Sequence, residues 1–327
     1  MLPFSCMKRL RLFIILLYLP LQVCFSQEKD VSGIVAKPYI QSYTQGRIDL
    51  HRDTIVYKQE KVIFGVDFKF NENWSAHVGF DLIGMNRPYL KPTAITFKKD
   101  GWTIDGGIFV PSEMDLTLQF WGNRFIDRGA ADKWLVGPTA DLGLRVAYRW
   151  NDFISTDLSV VSGNGYQRLL EKYHPRYAFR SVITPFQSLK LGGYIAAREA
   201  EQVTETTFNG FAHLQANSKW KATGEYHLQT NSQFAEGRRL NIVSVYSTYT
   251  LLSWMSLMGR FDFLKSNKVG DSDESWNVRS DGHAFMGGLI FRCFPTVRVS
   301  VNYWNKHSSV KHIAGEDWLY VCLEFKY

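Results

Sequence analysis

Apolar and polar residues alternate along most of this chain, in segments of roughly ten residues separated by polar stretches. In residues 62–70 every second side chain is apolar, and Gly65, Asp67 and Lys69 stand between them. Such alternation predicts β-strands with one apolar and one polar face, whereas helical periodicity is nearly absent. The same pattern marks residues 74–82, 142–150, 297–303 and 319–327.

The connections between these segments predict the number of strands. Seven connections are short and turn-like, near residues 71–73, 99–101, 150–152, 186–187, 217–219, 253–254 and 293–295. Longer polar connections alternate with them, including residues 162–175, 231–239, 265–282 and 305–315. At about ten residues per strand, this spacing predicts an all-β, antiparallel, up-and-down transmembrane barrel of about 16 strands, with both termini on the side of the short turns.

The positions of aromatic residues favour this barrel over a soluble β-sandwich, which is the alternative fold. Eight aromatic residues lie beside the short turns, as expected for a ring at one membrane interface: Trp74, Trp102, Trp150, Phe153, Phe186, Trp220, Trp254 and Phe294. A second group lies beside the long loops: Tyr43, Tyr166, Tyr173, Tyr177, Trp304 and Trp318. In a sandwich, aromatic residues would have no reason to collect at strand ends.

A barrel in lipid cannot leave a strand edge unpaired, because hydrocarbon offers no hydrogen-bond partner. The last strand, within residues 319–327, is therefore expected to pair with a first strand near residues 33–43. The alternating apolar residues that end at Tyr327 suit a C-terminal strand that stays in the membrane.

The N-terminus has the features of an export signal. A basic flank formed by Lys8, Arg9 and Arg11 precedes the apolar stretch 13–23, and small residues allow cleavage after Ser26. We expect residues 1–26 to be a signal peptide and residues 27–327 to be a barrel in the outer membrane of a Gram-negative bacterium. A lipoprotein signal at Cys24 is the weaker reading.

Composition excludes several other classes of protein. The mean hydropathy is −0.19, and no apolar run of 18 residues follows the leader, so transmembrane helices are not expected. Much of the net charge of +7 belongs to the leader. The rest of the chain has no cluster of basic residues of the kind that binds nucleic acids. Cys293 and Cys322, the two cysteines after the leader, fall on opposite strand faces and should not be bridged. No cofactor or metal motif is present.

The polar face of the strands is expected to line a water-filled lumen with a slight excess of basic side chains. A patch on the sixth, eighth and ninth strands, together with one later arginine, forms the candidate selectivity set: Arg145, Arg149, Arg176, Arg180, Lys190, Arg198 and Arg260. These side chains would favour anions. The alternative is that nearby carboxylates neutralise them and that they only keep the lumen wet.

The longest connection, residues 111–139, follows the fifth strand and is too long for a hairpin turn. Its apolar residues, among them Phe120 and Trp121, would be costly in solvent, so we expect it to fold into the lumen and narrow the channel. The candidate constriction residues are Glu113, Asp115, Arg124, Asp127 and Arg128. The alternative is an external flap that packs over a neighbouring subunit.

Three short stretches carry a resemblance to a known family. Residues 107–114 (GIFVPSEM), 120–125 (FWGNRF) and 159–166 (SVVSGNGY) are similar to stretches of porins related to the phosphate-selective porin O and P family, especially their Bacteroidota relatives. The resemblance implies a 16-stranded outer-membrane channel, a homotrimer, with an inward-folded loop after strand five.

Two histidine clusters were considered as catalytic sites. His213 and His227 share the inward face with Glu225, but no nucleophile motif accompanies them. His307 and His312 flank two serines in a loop without an orienting carboxylate. The prediction is therefore a porin and not an enzyme: a passive channel that contacts lipid and passes small hydrophilic solutes, with a weak preference for phosphate-like anions. A barrel hydrolase and a plugged structural or adhesive barrel are the alternatives.

Overall fold

A computed structural model of the protein describes residues 33–82, 88–169, 174–310 and 312–327. The expected signal peptide, residues 1–26, and Tyr173 lie outside the described residues. The strands are β1 (Val35–Asp49), β2 (Thr54–Lys69), β3 (Trp74–Asp81), β4 (Tyr89–Lys99), β5 (Trp102–Phe109), β6 (Asp141–Arg149), β7 (Ile154–Val161), β8 (Arg176–Phe186), β9 (Leu189–Ala200), β10 (Val203–Gln215), β11 (Trp220–Thr230), β12 (Arg239–Leu252), β13 (Met255–Ser266), β14 (Gly282–Phe294), β15 (Val297–Ser308) and β16 (Glu316–Lys326). Two α-helices, α1 (Ser112–Trp121) and α2 (Ala130–Lys133), lie between β5 and β6, and a 3₁₀ turn covers Ser232–Phe234.

The sixteen strands of the described chain form one closed antiparallel barrel in which each strand pairs with its neighbours in sequence. The ring closes where β1 pairs with β16, for example Gln41 opposite Lys326 and Asp49 opposite Trp318. This closure confirms the predicted barrel and the predicted pairing of the last strand with the first. Each of the seven predicted short turns joins two consecutive strands. On the opposite rim, the β1–β2 and β9–β10 connections are also short, so long and short connections alternate less strictly than expected.

The outer surface of the barrel is apolar, as the alternation requires. All eight aromatic residues beside the short turns are exposed, from 40% for Trp220 to 69% for Phe186, which fits a ring facing the membrane interface. The second aromatic group does not form a matching ring. Tyr177 is exposed, but Tyr43 and Trp304 are buried inside the barrel, because they occupy the inward phase of their strands.

The interior is filled in part by the connection between β5 and β6. Phe120, Trp121, Phe125 and Ile126 of this connection are buried against inward-facing residues of the wall. Cys322 is buried in the same cluster, whereas Cys293 is exposed on the outer face, and both are free thiols, as predicted. No helix in the described ranges is long and apolar enough to cross a membrane.

Candidate functional site

The connection between β5 and β6, residues 110–140, folds inward and is called the lumenal segment here. Its helix α1 carries Glu113 and Asp115 in the first turn, where the helix dipole favours negative charge. Gly122 ends α1 with a φ of 64°, a left-handed conformation that glycine adopts without strain. The acidic residues thus stabilise the beginning of the helix, and Gly122 ends it after ten residues.

Contacts with strands far apart on the ring show that this segment lies inside the barrel. Gln45 of β1 donates to the carbonyl of Ile126 at 2.7 Å, and Arg298 of β15 donates to the carbonyl of Gly122 at 3.2 Å. The predicted inward fold is therefore confirmed. On the opposite wall, the ring of Phe120 stacks on a histidine of β10 with the centroids 4.1 Å apart.

The acidic residues of α1 face the arginine patch that the sequence predicted. Asp115 accepts hydrogen bonds from Arg180 and, at 2.8 Å, from Nη1 of Arg145. Arg145 also bonds Asp105 at 2.8 Å, and Arg180 bonds Asp157 at 2.6 Å. The result is a chain of alternating charges that runs from β5 through the lumenal segment to β7.

A second ion-pair group lies next to the first, and all its members except Arg198 are fully buried. Nε of Arg176 donates to Oε1 of Glu113 at 2.7 Å, and both side chains are at most 1% exposed. Arg176 also contacts Glu205 at 3.4 Å, and Glu205 accepts from Arg198 at 2.6 Å. A buried charge without its partner is costly, so these pairs fix the position of α1 on the β6–β10 wall.

The remaining members of the predicted selectivity set have different surroundings. Arg260 forms a two-pronged pair with Asp262, at 2.6 and 2.9 Å, and also donates to the carbonyl of Arg128. Arg149 is exposed at the end of β6, and Lys190 lines a small cavity of about 320 Å³ on the turn side of α1. Five of the seven basic side chains thus bond to carboxylates.

An open cavity of about 540 Å³ lies on the other side of the lumenal segment, and we call it the main cavity. It is bounded by the segment and by β1–β4, β15 and β16. Its basic lining residues are Lys58, Lys61, Lys91, Arg124, Arg128, Arg298 and Lys326, and its acidic ones are Glu60, Asp81, Asp132 and Glu324. The open part of the lumen is therefore off-centre, and it has its own excess of basic groups.

In the described part of the chain, four basic side chains of the main cavity form no ion pair with a carboxylate: Lys61, Lys91, Arg128 and Lys326. Nζ of Lys61 donates to Gln41 at 2.7 Å, and Nζ of Lys91 donates to the hydroxyl of Thr139 at 2.9 Å. Among the described residues, no carboxylate lies within 4 Å of either ammonium group. Neither ammonium group is therefore neutralised by a nearby carboxylate of the described chain.

The predicted constriction residues divide between the two sides of the lumenal segment. Arg124 and Arg128 line the main cavity. Glu113 and Asp115 lie against the arginine patch instead, and Asp127 pairs with Lys133 of the same segment. The structure thus brings two of the five predicted constriction residues together at the main cavity.

Further cavities lie above and below the main cavity along the inward face of β1. An outer cavity of about 230 Å³, near the long-loop rim, is lined by Arg47 and shares Lys58, Glu60 and Arg128 with the main cavity. A turn-side cavity of about 710 Å³ is lined by residues at the beginning of β1 and around the β2–β3 turn. Together these spaces follow one side of the bore.

Sequence reasoning did not place Lys61 and Lys91 in the candidate set, and backbone irregularities explain part of this. The register of β1 and β2 shifts at Tyr43, which makes room for the extra residue Glu60 beside Lys61. A similar shift at Val78 in the β3–β4 pair precedes Lys91. Extending the alternation of residues 62–70 backwards by one step would have placed Lys61 on the inward face.

Two of the candidate catalytic histidines, His213 and His227, form hydrogen bonds with neighbouring residues of the barrel wall. His227 is buried and bonds Oε2 of Glu225 at 3.0 Å, while the hydroxyl of Tyr246 donates to the same carboxylate. His213 is hydrogen-bonded to Thr223 at 2.8 Å. The described residues contain no group of three or more side chains placed to hold a metal ion.

Comparison with known proteins relates the chain to outer-membrane channels by structure alone. No protein-family model and no curated protein matches it. The outer membrane channel DcaP of Acinetobacter baumannii is similar, with a TM-score of 0.69, 10% identity, and coverage of 91% of this chain and 99% of that chain. An anion-selective porin from Comamonas acidovorans is also similar, with a TM-score of 0.66, 8% identity, and coverage of 90% of this chain and 100% of that chain.

A third similar structure is the in-vitro folded outer membrane protein OmpT of Vibrio cholerae in a trimer form, with a TM-score of 0.65, 12% identity, and coverage of 90% and 100%. At such low identities these similarities show the fold, which is that of outer-membrane porins. The narrower resemblance to phosphate-selective porins of Bacteroidota stays a prediction.

Proposed function

We propose that the protein is an outer-membrane porin through which small hydrophilic solutes diffuse passively. The observation that carries this proposal is the main cavity, which is lined by charged side chains and lies beside a lumenal segment that only partly fills the bore. The apolar outer surface with its aromatic ring suits a lipid environment. We further propose that residues 1–26 are removed on export and that the mature barrel assembles as a homotrimer, as one similar solved structure does.

The proposed channel has a weak preference for anions, phosphate-like ones included. Support comes from the main cavity, where basic lining residues outnumber acidic ones and where Lys61 and Lys91 have no carboxylate partner among the described residues. Several other cations there are paired, such as Arg124 with Asp132 at 3.1 Å and Arg298 with Glu324. Paired charges contribute little net field, so the preference is weak.

The arginine patch on β6, β8 and β9 is assigned a different part in this proposal. Because Arg145, Arg176 and Arg180 each bond to carboxylates of α1, they hold the lumenal segment against the wall. Selectivity would follow from this indirectly, since the segment sets the shape of the passage. A direct effect of these arginines on ions remains the alternative hypothesis.

Planar-bilayer recordings of the purified protein test the function. We expect stepwise single-channel currents and, across a KCl gradient, a reversal potential that indicates anion preference. The preference should decline at high salt, because the Debye length falls to about 3 Å at 1 M ionic strength. Bilayers that stay closed would refute the channel and would favour a plugged barrel, while a cation-selective reversal potential would refute the anion preference.

A further inference from the structure

Glu60 occupies a special place on the wall of the proposed passage. The bulge that shifts the β1–β2 register at Tyr43 turns this side chain into the barrel. Glu60 lines both the main cavity and the outer cavity, and it shares that position with Lys58 and Arg128. It is therefore an acidic group at the junction of two spaces with a basic lining.

The carboxylate of Glu60 forms ion pairs with two basic side chains at this junction. Its Oε1 lies 2.8 Å from Nη2 of Arg47 and 2.7 Å from Nζ of Lys58. The Glu60 side chain is only 5% exposed, while those of Arg47 and Lys58 are 23% and 46% exposed. Solvent and permeating ions thus meet the two cations more readily than the carboxylate.

Other groups on this wall hold the arginine in place independently of Glu60. Nε of Arg47 donates to Oε1 of Gln45 at 2.9 Å, and its guanidinium lies 4.9 Å from the ring centre of Tyr320. A neutral side chain at position 60 would therefore leave Arg47 directed into the lumen. The nearest acids of the outer cavity are Asp127, which already pairs with Lys133, and Glu316.

We propose that Glu60 is a specificity-determining residue of the channel. Its carboxylate neutralises Arg47 and Lys58 where the outer cavity meets the main cavity, and it thereby keeps the anion preference weak and lets anions leave the passage. The bulge leaves Glu60 without a partner in the sheet and aims its carboxylate inward. The inference rests on the proposed channel function.

The experiment compares the reversal potential of the wild-type protein with that of Glu60→Gln and Glu60→Asp. For Glu60→Gln we expect the anion-to-cation permeability ratio to rise about tenfold at low salt, because one unit charge acting through about 6 Å of water changes the permeability of the anion and of the cation by about threefold each, in opposite directions. Glu60→Asp keeps the charge and should stay near the wild-type ratio. Heat-modifiable migration of unboiled samples on gels checks that both variants fold.

A third variant identifies the source of the effect. Adding Arg47→Gln and Lys58→Gln to Glu60→Gln should lower the permeability ratio to below that of the wild type, because the group then carries no charge, against +1 in the wild type and +2 in the single variant. An unchanged ratio in Glu60→Gln, or a rise that persists in the triple variant, would overturn the proposal. A wild-type protein without stepwise currents would instead refute the channel function itself.

Discussion

Replacing Glu113 and Asp115 by glutamine and asparagine is expected to release the lumenal segment from the wall and to widen the channel. Both changes keep the side-chain shape but remove the charges that face Arg176, Arg145 and Arg180. Loss of one partner from a fully buried pair such as Glu113–Arg176 costs about 3–5 kcal/mol. Single-channel conductance should therefore rise and the thermal midpoint of unfolding should fall.

The matched control for this double variant is Asp152→Asn, which removes a charge from an exposed short turn. It should leave both conductance and unfolding unchanged, since exposed charges contribute little to stability. If the double variant had the conductance and the midpoint of the control, the ion pairs would not hold the segment in place.

Replacing Lys61 and Lys91 together by glutamine should change the ion preference of the channel from anions to cations. These two ammonium groups face the main cavity without an acidic partner in the described chain, so their loss removes charge that ions experience directly. One unit charge acting across about 6 Å of water changes the anion-to-cation permeability ratio by about tenfold, so the loss of both charges should shift the ratio toward cations by up to about a hundredfold at low salt. The reversal potential in a KCl gradient measures this shift.

Two comparisons show whether the effect belongs to these lysines. Lys219→Gln with Lys268→Gln removes the same formal charge from exposed positions in a turn and a loop, and it should leave the reversal potential unchanged. Replacing Arg145, Arg180 and Arg260 by alanine tests whether these arginines determine the ion selectivity instead. If that triple variant shifted selectivity toward cations with an unaltered conductance while the lysine variant had no effect, the arginine patch would determine selectivity.

Much of the fold could be predicted from the sequence because barrel geometry is locally encoded. A period of two residues fixes which side chains face lipid, and the short turns fix where strands end, so both strand number and closure followed from residues such as those of 62–70 and 319–327. The exposed aromatic ring followed for the same reason. A position beside a long loop did not by itself indicate which way Tyr43 and Trp304 face, because strand phase turns both side chains into the barrel.

The candidate site was less predictable because its geometry depends on contacts between residues distant in sequence. The arginines of β6 and β8 could be placed on the inward face, but nothing local indicated that Asp115 would meet both Arg145 and Arg180. The position of α1 against one wall determines which basic side chains of the lumen are paired with carboxylates and which are not. The bulge near Lys91 adds to this, because it interrupts the alternation of inward and outward residues along β4.

The central claim is that solutes pass between the lumenal segment and the β1–β4 wall, and blocking of introduced thiols tests it most directly. In a variant with serine at positions 293 and 322, we compare Gln41→Cys, which lines the main cavity, with Ser159→Cys, which is buried under the lumenal segment. A charged, membrane-impermeant thiol reagent should reduce the single-channel current of the Gln41→Cys variant and leave that of the Ser159→Cys variant unchanged. Block at position 159 without block at position 41 would contradict the account.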